Sequence, residues 1–349
     1  AICRTRWRRN RLPLPAAAGA AVNPLLEARD LTVRYAQAGV SRRRAVVAVD
    51  QASFTIAAGE MLGLVGESGC GKSTLARAIL RLVPLCAGEV HWLGRRVDQL
   101  GRKAFRGLRR ELQIVFQDPH ACLDPRMTII ESVAEPLRSF EPGLSRSGRA
   151  ARAAALLDTV GLGSGLLERY PHQASGGQLQ RAVIARALIV DPRLVVCDEP
   201  VSALDVSVQG QIVNLLARIR RERGLAGLFI SHNLAVVAGL CERIMVMYVG
   251  RIVEIAPRAV LLPAPLHPYS RMLLDAVPRI QPAPRRPVPA VPIGPPDAPA
   301  AGCVFAARCP HVITRCRVEA PQLLSSGSGR LVACHRAAEW PGGLAPATA

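Results

Sequence analysis

Gly66-Glu67-Ser68-Gly69-Cys70-Gly71-Lys72-Ser73 is the stretch that decides the fold. It satisfies the pattern G-x-x-x-x-G-K-[ST]. It also lies where that pattern has physical meaning, after the apolar run Met61 to Val65 and before a helical pattern from Thr74 to Leu82 that stops near Pro84. The glycines permit a tight backbone path that turns successive N–H groups toward phosphate oxygens. The start of the following helix adds a favourable field for an anion. Lys72 suits the β- and γ-phosphates of a nucleotide, and the Ser73 hydroxyl suits Mg²⁺. Gly66 to Ser73, with Thr74 beside them, are the candidate nucleotide-binding residues.

The flanking sequence supports an α/β fold. A short apolar run such as Met61 to Val65 suits a strand buried on both faces of a parallel sheet. Upstream, Leu25 to Tyr35 and Ala45 to Ile56 read as strands around a basic loop holding Arg42, Arg43 and Arg44. Downstream, residues 119–190 are mostly helical in pattern and end in a long run from Gly176 to Val190. Leu194 to Cys197 and Leu228 to Ile230 are again buried-strand runs, with a helix from Val206 to Arg223 between them. Strands alternating with helices define an α/β domain. The run Leu194-Val195-Val196-Cys197-Asp198-Glu199 delivers two carboxylates to the C-terminal edge of a strand, where ligands bind in such sheets. Asp198 suits Mg²⁺, and Glu199 suits an attacking water.

Composition removes other classes. The chain has 349 residues, 50% hydrophobic and 20% charged, enough for a packed core. No stretch reaches the ~18 unbroken apolar residues of a membrane span. The net charge is +19, and Lys72 and Lys103 are the only lysines. An Arg-for-Lys bias of that kind, with abundant Ala and Pro, reads as genome-wide composition. No nucleic-acid motif with interleaved aromatics accompanies it, so no nucleic-acid partner is expected. Neither lysine follows an Asn, so the N-K-x-D guanine motif of GTPases is absent. Residues 1–23, with five Arg and no acid, read as a disordered basic extension. The Pro clusters from Pro278 to Pro299 read as a linker.

Ser175-Gly176-Gly177-Gln178, followed by Gln180-Arg181, resembles the signature of ABC ATPases. Physically it is a second helix start with exposed N–H groups and a hydroxyl. The resemblance implies a P-loop ABC ATPase fold, a RecA-like core with a helical subdomain at about 119–190, and a signature that completes the site of a partner subunit. It implies that Tyr35 stacks on adenine, that Gln117 is the Q-loop glutamine and a Mg²⁺ ligand, that Ser202-Ala203-Leu204-Asp205 is the D-loop, and that His232 is the switch histidine. Catalysis then falls to Glu199, His232 and Gln117, Mg²⁺ to Ser73, Gln117 and Asp198, and ATP is the substrate. A DNA-repair ABC ATPase would need a long coiled coil between phosphate loop and signature, and a ribosome-associated one a second cassette; the chain has neither.

Tyr170-Pro171-His172, Asp124-Pro125-Arg126-Met127-Thr128, the run from Cys197 to Ser207 and Leu266-His267-Pro268-Tyr269 resemble the ATPase subunits of oligopeptide and dipeptide importers. One departure is Ala174, where relatives carry a bulky hydrophobic residue. The resemblance implies an ATPase domain over 24–260 and a transporter-type extension over 261–349. It implies a second ATPase subunit (a paralogue or the same chain), two permease subunits and, through them, an extracytoplasmic binding protein. The place of work would be the cytoplasmic face of a bacterial inner membrane, as a peripheral subunit. Peptide is the implied solute, with nickel and glutathione as alternatives.

Four of the ten cysteines crowd the tail: Cys303, Cys309, Cys316 and Cys334, spaced C-x5-C-x6-C-x17-C. Four thiols in a segment with little apolar sequence invite a metal. Spacing alone favours structural Zn²⁺, with unliganded thiols as the bland reading. The resemblance implies a [4Fe–4S] cluster instead. Beyond a proline-rich linker, the tail is expected to be structural or to dock on a partner, leaving nucleotide binding untouched.

Overall fold

A computed structural model describes residues 24–36, 45–277, 301–340 and 342–344. The basic extension at 1–23 and the Pro clusters at 278–299 lie outside the described residues. The chain divides into two compact units, one of Ala1–Thr55, Leu62–Asp98 and His232–Ala349, the other of Ile56–Met61 and Gln99–Ser231. The cysteine tail therefore groups with the phosphate loop.

In the first unit the strand Leu26–Ala36 pairs antiparallel with Ala87–Trp92, Leu26 opposite Trp92, and Ala87–Trp92 continues to Arg95–Arg96. A separate ladder carries the phosphate loop. Met61–Val65, buried at all five positions, runs parallel to Arg243–Tyr248, with Leu62 opposite Arg243 and Val65 opposite Val246. Arg251–Pro257 returns antiparallel beside Arg243–Tyr248, and Leu331–Val332 of the tail adds to its outer edge, with Glu254 opposite Val332. The helix after the loop spans Lys72–Ile79. It begins two residues before the sequence pattern suggests, because Gly71 in the left-handed region serves as its N-cap. It ends before Leu82 because Arg81 turns left-handed, at φ 54°. Leu75, Ala76 and Ile79 are fully buried, each large apolar side chain contributing roughly 1.5–3 kcal/mol.

In the second unit Leu112–Val115, Leu194–Asp198 and Ala226–Ser231 are parallel neighbours, Val115 opposite Cys197 and Asp198 opposite Ile230. Leu194–Asp198 and Ala226–Ser231 are buried at every position, and parallel pairing covered on both faces explains their largely apolar content. The longer helices of the unit are Ile129–Phe140, Arg146–Thr159, Gly176–Leu188 and Val206–Arg223. Val206–Arg223 matches the sequence pattern and ends at Gly224, whose φ of 60° breaks the helix without steric cost. Thr128 caps Ile129–Phe140 in a reciprocal box with Glu131.

Candidate nucleotide site

The phosphate loop is built from backbone. At Gly71, φ is 107°, and an added Cβ would lie 2.1 Å from the Ala48 carbonyl oxygen; at Gly66 it would lie 2.2 Å from that of Met247. Both positions therefore need glycine for space, and Gly71 for conformation too. Lys72 is buried. Its ammonium donates to the carbonyls of Gly66 (2.8 Å) and Glu67 (2.9 Å), which hold the cation against the inside of the loop. Ser68 and Gly69 are exposed at the tip, Cys70 is buried, and Ser73 is half-buried on the first turn of the helix. Burial pushes the Cys70 thiol pKa up. Tyr35 is exposed, its hydroxyl 3.5 Å from Thr74 Oγ1, so an aromatic face stands beside the loop.

The second unit holds the carboxylates. Asp198 ends its strand almost fully buried. Glu199 follows in the left-handed region at φ 49°, a conformation that costs a non-glycine residue about 1–2 kcal/mol. Its N–H is held by the Ile230 carbonyl at 3.1 Å. Gln117 brings its amide nitrogen to 3.4 Å from the Glu199 carboxylate and 3.3 Å from the Ser202 hydroxyl. These three side chains, 82 and 85 residues apart from Gln117 in sequence, meet at one strand edge. His232 directly follows the strand Ala226–Ser231 and is exposed.

Ser175 caps the helix Gly176–Leu188. Its hydroxyl accepts from the Gln178 N–H, and the Gln178 side chain accepts from the Ser175 N–H at 2.9 Å. A Cβ on Gly177 would lie 2.7 Å from Val208 Cγ1, so this glycine lets the signature helix approach the start of Val206–Arg223. Arg186 on the same helix pairs with Glu135 at 3.0 Å, tying it to the helix that follows the Q-loop.

The tail brings its four cysteines together. Cys303, Cys309, Cys316 and Cys334 line one small cavity, with His311 and Trp340 among its other walls. Burial raises the thiol pKa of Cys303, pushes that of Cys309 up to about 11 and that of Cys334 up to about 12. Backbone N–H groups of Phe305, His311 and Arg336 oppose the shift at those three sulfurs. Among the described residues no three His, Cys, Asp or Glu side chains are gathered closely enough to hold a metal ion. The expected iron–sulfur centre thus finds no preformed metal group, although its four candidate ligands face one space.

Several functional contacts escaped the sequence. Arg308 forms a two-armed ion pair with Glu67 of the phosphate loop, at 2.8 and 2.9 Å. The Glu67 N–H donates to the Tyr269 hydroxyl at 2.8 Å. Tyr269 was visible in Leu266-His267-Pro268-Tyr269, and Arg308 beside Cys309, but neither motif pointed to the loop. Glu254, fully buried, accepts the N–H groups of Leu266 and His267, both at 3.0 Å; a single acid inside the apolar run Ile252 to Ala256 was its only signal.

A phosphate loop after a buried strand, paired carboxylates on another strand and a capped signature helix together define an ATP-binding cassette ATPase. The ABC transporter family model matches residues 49–202, and that of the oligopeptide/dipeptide transporter C-terminal region matches residues 253–316. The chain is 47% identical over 321 residues to the probable peptide ABC transporter ATP-binding protein y4tS of Sinorhizobium fredii, covering 89% of each chain. It is 49% identical over 290 residues to the oligopeptide transport ATP-binding protein OppF of Salmonella typhimurium, covering 80% of this chain and 85% of that one. The dimeric structure of MJ0796, a bacterial ABC transporter cassette, matches with a TM-score of 0.61 at 29% identity, over 67% of this chain and 98% of that one. The chain belongs to the ATP-binding proteins of ABC transporters, in the oligopeptide and dipeptide branch. Among the described residues no helix is long and apolar enough to cross a membrane.

Proposed function

We propose that this ATPase energises a peptide importer from the cytoplasmic face of the membrane, as a peripheral subunit paired with a second ATPase and two permease subunits. The observation that carries the reading is the 47–49% identity to peptide-transport ATP-binding proteins, together with the peptide-transporter C-terminal region at 253–316. The ATPase domain is assigned to 24–260, with its helical part at about 119–190, and the extension to 261–349.

Residue by residue, the loop from Gly66 to Thr74 holds the phosphates of ATP, Lys72 supplies charge to them, and Tyr35 stacks on the base. Ser73, Gln117 and Asp198 would hold Mg²⁺, which neutralises charge developing on the transferred phosphoryl group. Glu199 takes the proton of the attacking water, Gln117 orients that carboxylate, and His232 contacts the γ-phosphate. Ser175, Gly176, Gly177 and Gln178 present hydroxyl and N–H groups to the ATP of a partner subunit.

The four tail cysteines fit a metal centre by their chemistry: thiols around one cavity, with backbone N–H groups aimed at three sulfurs. The resemblance to peptide-importer ATPases, not the spacing, favours a [4Fe–4S] cluster over a single Zn²⁺. The group would staple the tail.

The segment from His120 to Leu137 is the docking site for a permease helix. It follows Gln117 and packs through Glu135 on Arg186 of the signature helix, so movement there is felt at both motifs. Cysteines placed in this segment, in a background lacking Cys122, should crosslink to permease loops in the assembled importer, and peptide should stimulate its ATPase. Crosslinks confined to other faces, or no peptide stimulation, would reject the assignment.

A further inference from the structure

The tail holds Glu67 of the phosphate loop through both its backbone and its side chain. Tyr269, fully buried, accepts the Glu67 backbone N–H at 2.8 Å. That amide is therefore aimed at the tail and fixes the first corner of the loop from outside. Arg308 grips the Glu67 carboxylate with both terminal nitrogens. Its guanidinium is itself held in place, 5.6 Å from the Tyr248 ring centre and 6.0 Å from that of Phe305, and it donates to the Tyr248 hydroxyl at 3.4 Å. Phe305 meets Tyr248 edge-on at 5.1 Å and Tyr269 at 5.5 Å. The Arg308 side chain is only 14% exposed against 42% for Glu67, so the rigid partner is the tail and the adjustable one is the loop.

The next residue of the loop's chemistry depends on the same corner. Lys72 is held by the carbonyls of Gly66 and Glu67; the first shares a peptide plane with the N–H that Tyr269 accepts, and the second belongs to the residue that Arg308 grips. A shift of residue 67 therefore moves both the backbone that lines the phosphate path and the perch of the ammonium. Phosphate affinity depends on such pre-set donors, because any freedom left in them must be lost on binding.

We infer that Arg308 and Tyr269 are positioning residues for ATP: they hold Glu67, and thereby the phosphate loop, in its binding shape. Arg308 lies between Cys303 and Cys309, and Phe305 lines the cysteine cavity, so whatever orders that cavity also orders the grip on the loop. The inference rests on residues 66–73 being the nucleotide site, and not on what fills the cavity.

The test uses the full-length chain and a fluorescent ATP analogue with Mg²⁺. Arg308→Ala and Glu67→Gln should each weaken binding by about fivefold, the scale of one charge-assisted contact that is partly solvent-exposed. The double variant should be no weaker than the worse single one, because both remove the same pair. Arg308→Lys should recover part of the loss, since an ammonium keeps the charge but not the fork. In the assembled importer the loss should appear in KM for ATP with kcat retained. Metal content is measured in every variant, and equal content across them is expected. Lys72→Ala in the same titration separates the two readings. If it binds as the parent does, the loop is not the nucleotide site. If it fails to bind while Arg308→Ala and Glu67→Gln match the parent, the positioning role is overturned, as it is by additive losses in the double variant or by a loss that tracks metal content. Should Arg308→Ala not fold, Glu67→Gln, at a half-exposed position, decides alone.

Discussion

The phosphate loop and the cysteine tail each gather their functional candidates in a small space, but one is built of backbone and the other of side chains. The loop is shaped by its backbone, so its requirements fall on adjacent residues and leave no room for a Cβ at Gly66 or Gly71. The tail's cysteines come from four places spread over 303–334 and meet only because the chain folds. A backbone site is therefore spelled out locally and is intolerant of single atoms. A side-chain site is spelled out by spacing, tolerates drift in sequence, and depends on the fold around it.

The largest expected effect lies in the loop. Gly71→Ala places a Cβ against the Ala48 carbonyl at a φ of 107°, which should cost about 2–4 kcal/mol of stability and abolish measurable nucleotide binding. Gly69→Ala sharpens the contrast. Its φ is 80° but nothing lies within 4 Å of the added atom, so only the conformational cost of about 1–2 kcal/mol remains and binding should persist. Thermal unfolding and analogue titration on both variants measure the difference. Equal behaviour of the two would break the claim that close backbone approach governs the loop.

A smaller effect is expected in the tail. Cys309→Ser should lose the metal of anaerobically purified protein and leave the chain beyond Pro299 sensitive to protease, because a thiolate site and its fold form together. Four irons with acid-labile sulfide per parent chain support the cluster, and one zinc replaces it with the simpler staple. Neither metal removes the site. The sequence suggested that nucleotide binding would be indifferent to this change. The Arg308–Glu67 pair revises that, and Cys309→Ser should weaken ATP binding by no more than Arg308→Ala does.

The same contrast explains what the sequence disclosed. The strand Met61–Val65, the loop and the helix Val206–Arg223 were legible because periodicity, a glycine pattern and a terminating Gly224 lie within a few residues of each other. Glu199 was legible as the last residue of an apolar run, though its left-handed backbone was not. The grip of Arg308 on Glu67 was hidden, because its partners stand 241 residues apart and either alone is an ordinary surface charge. The two-residue strand Leu331–Val332 was hidden for a related reason: it exists only by pairing with Arg251–Pro257 on one side and Leu324–Ser325 on the other, with no pattern of its own. Local rules reach local structure, and the tail's attachment to the loop is tertiary.

The central claim is that this chain turns over ATP with Glu199 as its base, and one comparison tests it directly: ATP binding and hydrolysis by Glu199→Gln beside the parent, in the assembled importer. The amide keeps the shape of the carboxylate but neither its charge nor its basicity, so binding should be retained and turnover should fall by at least about 100-fold, the usual worth of a general base. Hydrolysis at the parent rate would contradict the assignment of Glu199.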